Sequence, residues 1–272
     1  MPLKLIVALL IDASAAFASV QHAPQWRTLG PGFEYAQLSL PGDPGMNATL
    51  HVVRVNPARA HVCAELASSL DRRNRTAGEW CHTRGLAVAI NLGMFAGDGL
   101  SHLGYLRAAA HQVEGAWRTD YRSAFGVAPS RSNLPALRWV DLDHLGARDS
   151  LRDYALAIQN LRVIRNDRHV VWASQTRRWS EAAVGTDGQH RLLLLFCRDA
   201  MPMAELARRL LAAPLDVRGV MHVEGGPEAS LSIHAGGVDL DLCGSFETGF
   251  REDDTNTVQW PIPKVLGVRA RP

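Results

Sequence analysis

The chain has 272 residues, of which 47% are hydrophobic and 21% charged, and its net charge is +2. This length is enough for one large domain or two small ones with a substantial core. A charge so close to neutral argues against nucleic acid or an anionic membrane surface as a partner. The 11 histidines show no metal-ligand spacing such as His-Glu-x-x-His, and we expect no metal or other cofactor.

The first 18 residues are typical of a secretory signal. Lys4 supplies the positive charge, residues 5–11 form an apolar run, and residues 16–18 have the small-x-small cleavage pattern. The run is too short to span a bilayer, and no later segment is long and apolar enough to be an anchor. We therefore expect a soluble periplasmic or secreted protein whose mature chain, residues 19–272, forms one domain without a membrane span.

Export would place the 4 cysteines in an oxidising compartment, where an even number favours two disulfides. We expect Cys63 to pair with Cys81, across a short polar run, and Cys197 to pair with Cys243, each near the end of a predicted strand. Four buried thiols are the alternative.

In chain order, the hydrophobic pattern predicts many more strands than helices. The predicted strands or extended segments are residues 29–39, 48–55, 60–66, 86–90, 103–113, 124–127, 154–159, 161–164, 169–173, 182–185, 191–196, 219–224, 231–234, 238–242 and 260–268.

The clearest predicted helix is residues 202–212, which begins at a proline and has one apolar face. A short helix is expected within residues 68–82, and a loop at 138–148. The turns at 56–59 and 235–237 are each expected to join the flanking strands as a hairpin. These elements predict an α+β fold: a single domain with a mixed β-sheet core flanked by a few helices.

Two of the predicted buried strands run into glycine-rich turns. Residues 86–90 lead into NLGMFAGDG at 91–99, which contains Asn91 and Asp98. A carboxylate beside backbone that can fold closely around a ligand is a common way to present a catalytic acid or base. Ordinary turn chemistry is the alternative for both residues.

The second such turn follows the strand at 219–224, which ends with Glu224. Gly225 and Gly226 come next, so the same two interpretations apply: a catalytic carboxylate, or a strand-capping glutamate in a tight turn.

Four segments resemble, in the same order, the motifs of the phosphodiester glycosidase domain family: 89–95 (AINLGMF), 178–185 (RWSEAAVG), 224–230 (EGGPEAS) and 261–268 (PIPKVLGV). The family motifs are a strand ending in Asn before a Gly/Phe loop, an Arg followed by Thr or Ser, Asp-Gly-Gly-Gly-Ser, and a proline-rich ending. The resemblance spans roughly residues 85–268. It implies an exported hydrolase of sugar-1-phosphodiesters, such as those of N-acetylglucosamine, or of a related envelope glycan, with bacterial relatives linked to exopolysaccharides.

Such a reaction needs groups that hold an anion, stabilise positive charge on the sugar and activate water. Glu224 is the candidate base or nucleophile, Asp98 the second carboxylate, Arg178 the phosphate ligand and Asn91 a ligand of the sugar or phosphate. Secondary contacts are expected from the backbone N–H groups of Gly225 and Gly226 and from the hydroxyls of Ser180 and Ser230. We expect Asn91, Arg178 and Glu224 to converge on one cleft, and Arg178 to keep Glu224 ionised by lowering its pKa.

The chain departs from the family pattern at its third motif. Glu224 stands where the family usually has Asp, and Pro227 and Glu228 interrupt the glycine-serine run. One extra methylene moves a carboxylate by more than a preorganised site tolerates. A non-catalytic carbohydrate-binding or exopolysaccharide-assembly protein on the same fold is therefore the alternative function.

Overall fold

A computed structural model describes residues 23–42, 46–108, 112–173 and 176–271, so the expected signal segment lies outside the described residues. In chain order the strands and helices are β1 (Arg27–Gly30), β2 (Phe33–Leu40), β3 (Ala48–Val55), β4 (Ala60–Leu66), α1 (Ala77–Arg84), β5 (Val88–Asn91), β6 (Leu106–Ala108), β7 (Gln112–Glu114), β8 (Ser123–Pro129), β9 (Leu137–Asp141), β10 (Tyr154–Asn160), β11 (Arg162–Ile164), β12 (Trp179–Asp187), β13 (Leu192–Met201), α2 (Met203–Ala212), β14 (Val217–Gly225), β15 (Ser230–Ala235), β16 (Val238–Cys243) and β17 (Lys264–Ala270).

The strands form three sheets. The first has the order β1-β2-β3-β13-β12-β14-β11, the second β7-β6-β10-β8-β9 and the third β16-β15-β5-β17-β4. Every strand pairing among the described residues is antiparallel. The fold thus combines strands with a few helices as expected, but the mixed-sheet core is wrong: antiparallel sheets dominate.

The main core lies where the inner faces of the three sheets meet. Phe196 of the first sheet, Phe125 of the second, and Ile90 and Leu231 of the third belong to one buried apolar cluster. Because these side chains must meet, the ends of β5, β10 and β14 are brought close together, and this junction holds the candidate site.

The predicted long helix is confirmed as α2. Pro202 precedes it, and Met203, Leu206 and Leu210 are buried against the outer face of the first sheet. The helix connects β13 to β14, which lie on either side of β12. It therefore supports the strand that ends at Glu224 from behind.

The hairpin expected around 56–59 is wrong. β4 pairs with β17 in the third sheet, because β2 and β13 already occupy both edges of β3. Residues 138–148, expected to be a loop, include most of β9, whereas 169–173 contribute only an isolated bridge between Ile164 and Val170.

The hairpin of β15 and β16 is confirmed. Gly236 and Gly237 have φ angles of 60° and 71° in its turn. That left-handed backbone is accessible to glycine without strain and suits a two-residue hairpin turn.

Neither expected disulfide is present, since all four cysteines, which lie within the described residues, are free thiols. Cys197 and Cys243 lie in different sheets, and it is Arg198 that faces Cys243, donating to its carbonyl oxygen at 2.8 Å. Successive side chains of a strand point to opposite faces, so Cys197 points away into the apolar cluster beneath α2.

Cys63 and Cys81 border the same small cluster beneath α1 without bonding. The Cys63 thiol lies 3.8 Å from the carbonyl oxygen of Gly267 on the paired strand β17. Burial raises the pKa of each thiol to about 12, so both stay protonated and unreactive at neutral pH.

Candidate active site

Glu224 is the penultimate residue of β14 and lies partly buried opposite Ala182 of β12. Its carboxylate accepts a hydrogen bond from the N–H of Gly225 at 3.2 Å. Burial raises the pKa of Glu224 to about 8, although His222 and that hydrogen bond act in the opposite direction. Burial thus favours the protonated form of Glu224 at neutral pH, whereas the sequence predicts an ionised carboxylate beside Arg178, which stays a prediction.

A buried pair lies just behind Glu224. The Nδ1 atom of His222 is 2.8 Å and 2.9 Å from the two carboxylate oxygens of Glu181, and the indole N–H of Trp179 donates to the same carboxylate at 2.7 Å. Burial opposes protonation of His222, but the charge of Glu181 and its hydrogen bond to the ring outweigh burial and raise the pKa of the imidazole. Burial also raises the pKa of Glu181, so the pair shares a proton between imidazole and carboxylate beside the Glu224 carboxyl.

His222 and Glu181 were not among the residues predicted from sequence. The available signal was their position in the sequence. His222 precedes Glu224 by two residues on β14, and Glu181, on the neighbouring strand β12, follows Arg178 of the second family motif. Only the pairing of β12 with β14 turns that spacing into a contact.

The glycines after Glu224 are required by their neighbours. A Cβ at Gly225 would lie 2.8 Å from Cδ1 of Trp179, and one at Gly226, whose φ is 63°, would lie 2.5 Å from Oε2 of Glu247. Glycine therefore lets an indole ring and a second carboxylate close on the turn. The Gly225 N–H, expected to bind substrate, donates to Glu224 instead.

Asn91 and Ser230 hold the same turn from below. The Asn91 amide donates to the carbonyl oxygen of Glu228 at 3.0 Å, and its oxygen accepts from the backbone N–H of Ser230 at 2.7 Å and from its hydroxyl at 3.3 Å. Both residues are buried. The structure thus brings Asn91, at the end of β5, and Ser230 to the Glu224 turn, where they bind protein groups.

Ser180 is also fully buried. Its hydroxyl donates to the carbonyl oxygen of Arg198 at 2.7 Å and accepts from the N–H of Ser245 at 3.0 Å. These two bonds fasten β12 to β13 and to the segment after β16. They account for the hydrogen-bonding capacity of the hydroxyl without a substrate.

Arg178 is exposed just before β12. Its guanidinium lies 5.2 Å from the centre of the Phe246 ring and, within the described part of the chain, makes no ion pair. The neighbouring Arg177 instead pairs with Glu247 at 3.2 Å. No contact joins Arg178 to Glu224 among these residues, so its convergence with Glu224 stays a prediction.

Asp98 lies on an exposed part of the first glycine-rich turn. It accepts hydrogen bonds from the Ser101 hydroxyl and from the N–H groups of Leu100 and Ser101, the last two at 2.9 Å. These bonds lower the pKa of Asp98 to about 2. Each contact stays within the turn, and none reaches Glu224.

Three polar side chains that the sequence did not single out lie buried between Asn91 and β14. Both ring nitrogens of His102, the amide nitrogen of Asn160 and the hydroxyl of Ser123 have no hydrogen-bond partner within the described residues. A Cβ at Gly93 would lie 2.5 Å from Cε1 of His102 and 2.6 Å from Nδ2 of Asn160. Unsatisfied buried polar atoms in one place are unusual in a folded protein and are compatible with a functional site.

The position of this cluster is fixed by β10 and β11. The carbonyl oxygen of Leu161, directly after Asn160, accepts the backbone N–H of His222 at 2.9 Å. Burial lowers the pKa of His102 to about 3, so its imidazole is neutral at pH 7. Only the packing of the three sheets brings these distant residues together, which explains why no local sequence pattern indicated them.

Similarity to known proteins identifies the family of this chain. Residues 84–269, more than half of the chain, match the family model for phosphodiester glycosidases. The chain belongs to the phosphodiester glycosidase family. No curated protein matches its sequence.

Two solved structures show the fold of this family member. The catalytic domain of zebrafish N-acetylglucosamine-1-phosphodiester alpha-N-acetylglucosaminidase, auto-inhibited by its pro-peptide, is 15% identical, with a TM-score of 0.61 over 93% of this chain and 89% of that one. A hypothetical protein from Synechocystis is 12% identical, with a TM-score of 0.56 over 90% of this chain and 64% of that one. At these identities the likeness concerns the fold alone.

The described residues of this phosphodiester glycosidase family member contain no group of three or more His, Cys, Asp or Glu side chains placed to hold a metal ion. Within the same ranges, no helix has the length and apolar character needed to cross a membrane.

Proposed function

We propose that the protein is an exported hydrolase that cleaves the bond between the anomeric carbon of a sugar and a phosphodiester-linked phosphate. The observation that carries the proposal is the partly buried Glu224 carboxyl at a strand end of a phosphodiester glycosidase family member, where burial raises its pKa to about 8. A carboxyl whose pKa is raised by burial is the usual general acid of glycoside hydrolysis. Export rests on the N-terminal sequence pattern.

In this mechanism Glu224 donates its proton to the phosphate oxygen as that oxygen leaves the anomeric carbon. Positive charge then develops on the sugar ring, and the acidic groups Glu228 and Glu247 beside the turn stabilise it. Water adds to the anomeric carbon and returns a proton to the Glu224 carboxylate. The products are a free sugar and a phosphomonoester.

The pair of His222 and Glu181 positions and tunes the acid. The imidazole charge limits how far burial raises the pKa of Glu224, so that the carboxyl can both give up and recover its proton near neutral pH. Arg178, exposed and without an ion pair in the described residues, is the candidate phosphate ligand because its planar fork matches two phosphate oxygens.

Hydrolysis of an N-acetylglucosamine-1-phosphodiester in ¹⁸O-labelled water tests the proposal. Attack at the anomeric carbon places the label in the free sugar and leaves the phosphomonoester unlabelled. Label in the phosphate instead would mean attack at phosphorus and would overturn the glycosidase assignment.

The second candidate is a non-catalytic carbohydrate-binding or exopolysaccharide-assembly protein. It is favoured by Glu224 in place of the usual Asp and by Pro227 and Glu228 within the glycine-serine run. Saturable binding of the phosphodiester without any turnover would support this function.

A further inference from the structure

Two adjoining clefts lie beside the second sheet. The larger, of about 520 Å³, and the smaller, of about 250 Å³, share Trp117, Arg148 and Asp149 as lining residues. Together they form one surface depression, which we call the Trp117 groove. The larger cleft alone has the size of a small-molecule site.

The groove is basic. Five arginines line it against two aspartates, Asp143 and Asp149. Most of these arginines are engaged by the protein: Arg152 pairs with Asp149 at 2.9 Å, and Arg107 donates to the carbonyl oxygen of Tyr154. Arg148 is exposed and has neither an ion pair nor a hydrogen bond within the described residues, so its guanidinium is available to a ligand.

A flat aromatic surface lies among these charges. The rings of Tyr105 and Trp117 stack with centroids 4.3 Å apart and an interplanar angle of 10°. Neither ring is fully buried, and Trp117 lines both clefts. Stacked aromatic rings present the kind of face on which the apolar side of a sugar ring packs.

The groove borders β10, whose last residue, Asn160, belongs to the buried polar cluster and points to the opposite face of the sheet from Gln159. Tyr121 and Gln159 line its larger cleft, and Gln159 directly precedes Asn160 of the buried polar cluster.

We propose that the Trp117 groove binds an anionic saccharide chain, so that the enzyme acts on a charged glycan and not on a single sugar phosphodiester. The ring pair holds a sugar, while Arg148 pairs with a carboxylate or phosphodiester group on a neighbouring unit. The inference rests on the proposed function for the identity of the reacting bond, but binding in the groove is measurable without turnover.

Binding is measured by calorimetry with the full chain. The probes are an octamer of galacturonic acid, its methyl ester, which has the same chain without the charge, a short oligomer of phosphodiester-linked sugars, and single-stranded DNA. The variants are Arg148→Gln and Trp117→Leu, with Arg208→Gln as the control, because Arg208 is an exposed arginine paired with Glu205 on α2.

We expect at least one anionic oligomer to bind, and to bind more weakly at high salt. If the galacturonic acid octamer is that oligomer, its methyl ester should bind at least about tenfold more weakly, because it lacks the charge. Arg148→Gln should weaken binding about three- to tenfold, as for loss of a charge-assisted hydrogen bond, whereas Arg208→Gln should leave it unchanged. The arm that binds identifies carboxylate or phosphodiester as the anionic group.

Four results would overturn the inference. They are no binding of either anionic oligomer, unchanged binding in Arg148→Gln, equal binding of the galacturonic acid octamer and its ester without binding of the phosphodiester oligomer, and tighter binding of single-stranded DNA, which would make the occupant nucleic acid. If the groove binds a glycan but no bond is cleaved, the binding inference stands and the proposed hydrolase fails.

Discussion

The two glycine-rich turns hold their acidic residues in opposite states of ionisation. In the turn at 91–99, Asp98 is exposed, accepts three hydrogen bonds, and has its pKa lowered to about 2. In the turn at 224–230, burial raises the pKa of Glu224 to about 8, and one backbone N–H only partly offsets it. Burial and the number of donors, not the glycine pattern that both turns share, therefore decide which carboxyl retains a proton at pH 7.

The turns also cooperate. Asn91, the first residue of one turn, hydrogen-bonds Glu228 and Ser230 in the other. The first turn thus supports the second, which carries the chemistry in the proposed function.

The largest effect is expected from Glu224→Gln. It keeps the shape of the side chain but removes the transferable proton, so kcat/KM toward a sugar phosphodiester should fall about 10²–10⁴-fold. Asp98→Asn is the matched control and should stay within about threefold of the wild type. Steady-state kinetics on both variants measure this, and a wild-type rate in Glu224→Gln would remove Glu224 from the mechanism.

The link between the turns is tested by Asn91→Ala. The change leaves the carbonyl oxygen of Glu228 and the N–H of Ser230 without their partner, and each unsatisfied buried group costs about 1–3 kcal/mol. We expect the free energy of unfolding to fall by about 2–4 kcal/mol in urea titration. Asp98→Ala, which removes hydrogen bonds at an exposed turn, should lower stability clearly less than Asn91→Ala does; equal losses in both variants would contradict the distinction between the turns.

The ionisation of Glu224 should appear in the pH dependence of stability. Its pKa is higher in the folded state than the usual value near 4.3, so the folded state binds more protons between the two pKa values. Stability should therefore decline as the pH rises from about 4.5 to about 8. The raised pKa of His222 acts in the same direction, with stability lost as the pH rises above about 6.5 through the folded value.

Glu224→Gln isolates the carboxyl contribution, because glutamine resembles the protonated acid at every pH. We expect it to be more stable than the wild type at pH 9 by about 1–3 kcal/mol, a figure reduced because the carboxyl is partly exposed. At pH 5 the two proteins should unfold alike. Parallel stability curves from pH 5 to 9 would show that Glu224 is ionised throughout.

The sequence was sufficient where local pattern decides the structure. An apolar face after Pro202 predicted α2, glycines predicted the hairpin of β15 and β16, and two apolar runs predicted the strands that end near Asn91 and Glu224. It was insufficient where a distant strand decides. β4 pairs with β17 and not with β3, because β13, which is far along the chain, occupies that edge of β3. The ionisation of Glu224 likewise depends on its burial and on His222, which only the folded chain brings about.

The buried polar cluster shows the same limit. His102, Ser123 and Asn160 come from separate segments of the chain, and nothing in their own surroundings in the sequence marks them as neighbours. The expected disulfides failed for a related reason, since cysteine number and compartment say nothing about which sheet a thiol faces.

The smallest effect is expected from Ser180→Ala, which tests whether Ser180, on the strand beside the Glu224 turn, has only a structural role. The Ser180 hydroxyl joins the carbonyl oxygen of Arg198 to the N–H of Ser245, so its removal should lower the free energy of unfolding by about 1–2 kcal/mol. Because both hydrogen bonds go to protein groups, KM for a sugar phosphodiester should not change. Thermal unfolding and steady-state kinetics on the same preparation separate the two roles. A rise in KM with unchanged stability would mean that Ser180 contacts the substrate, and the reactive region would then extend from the Glu224 turn along β12.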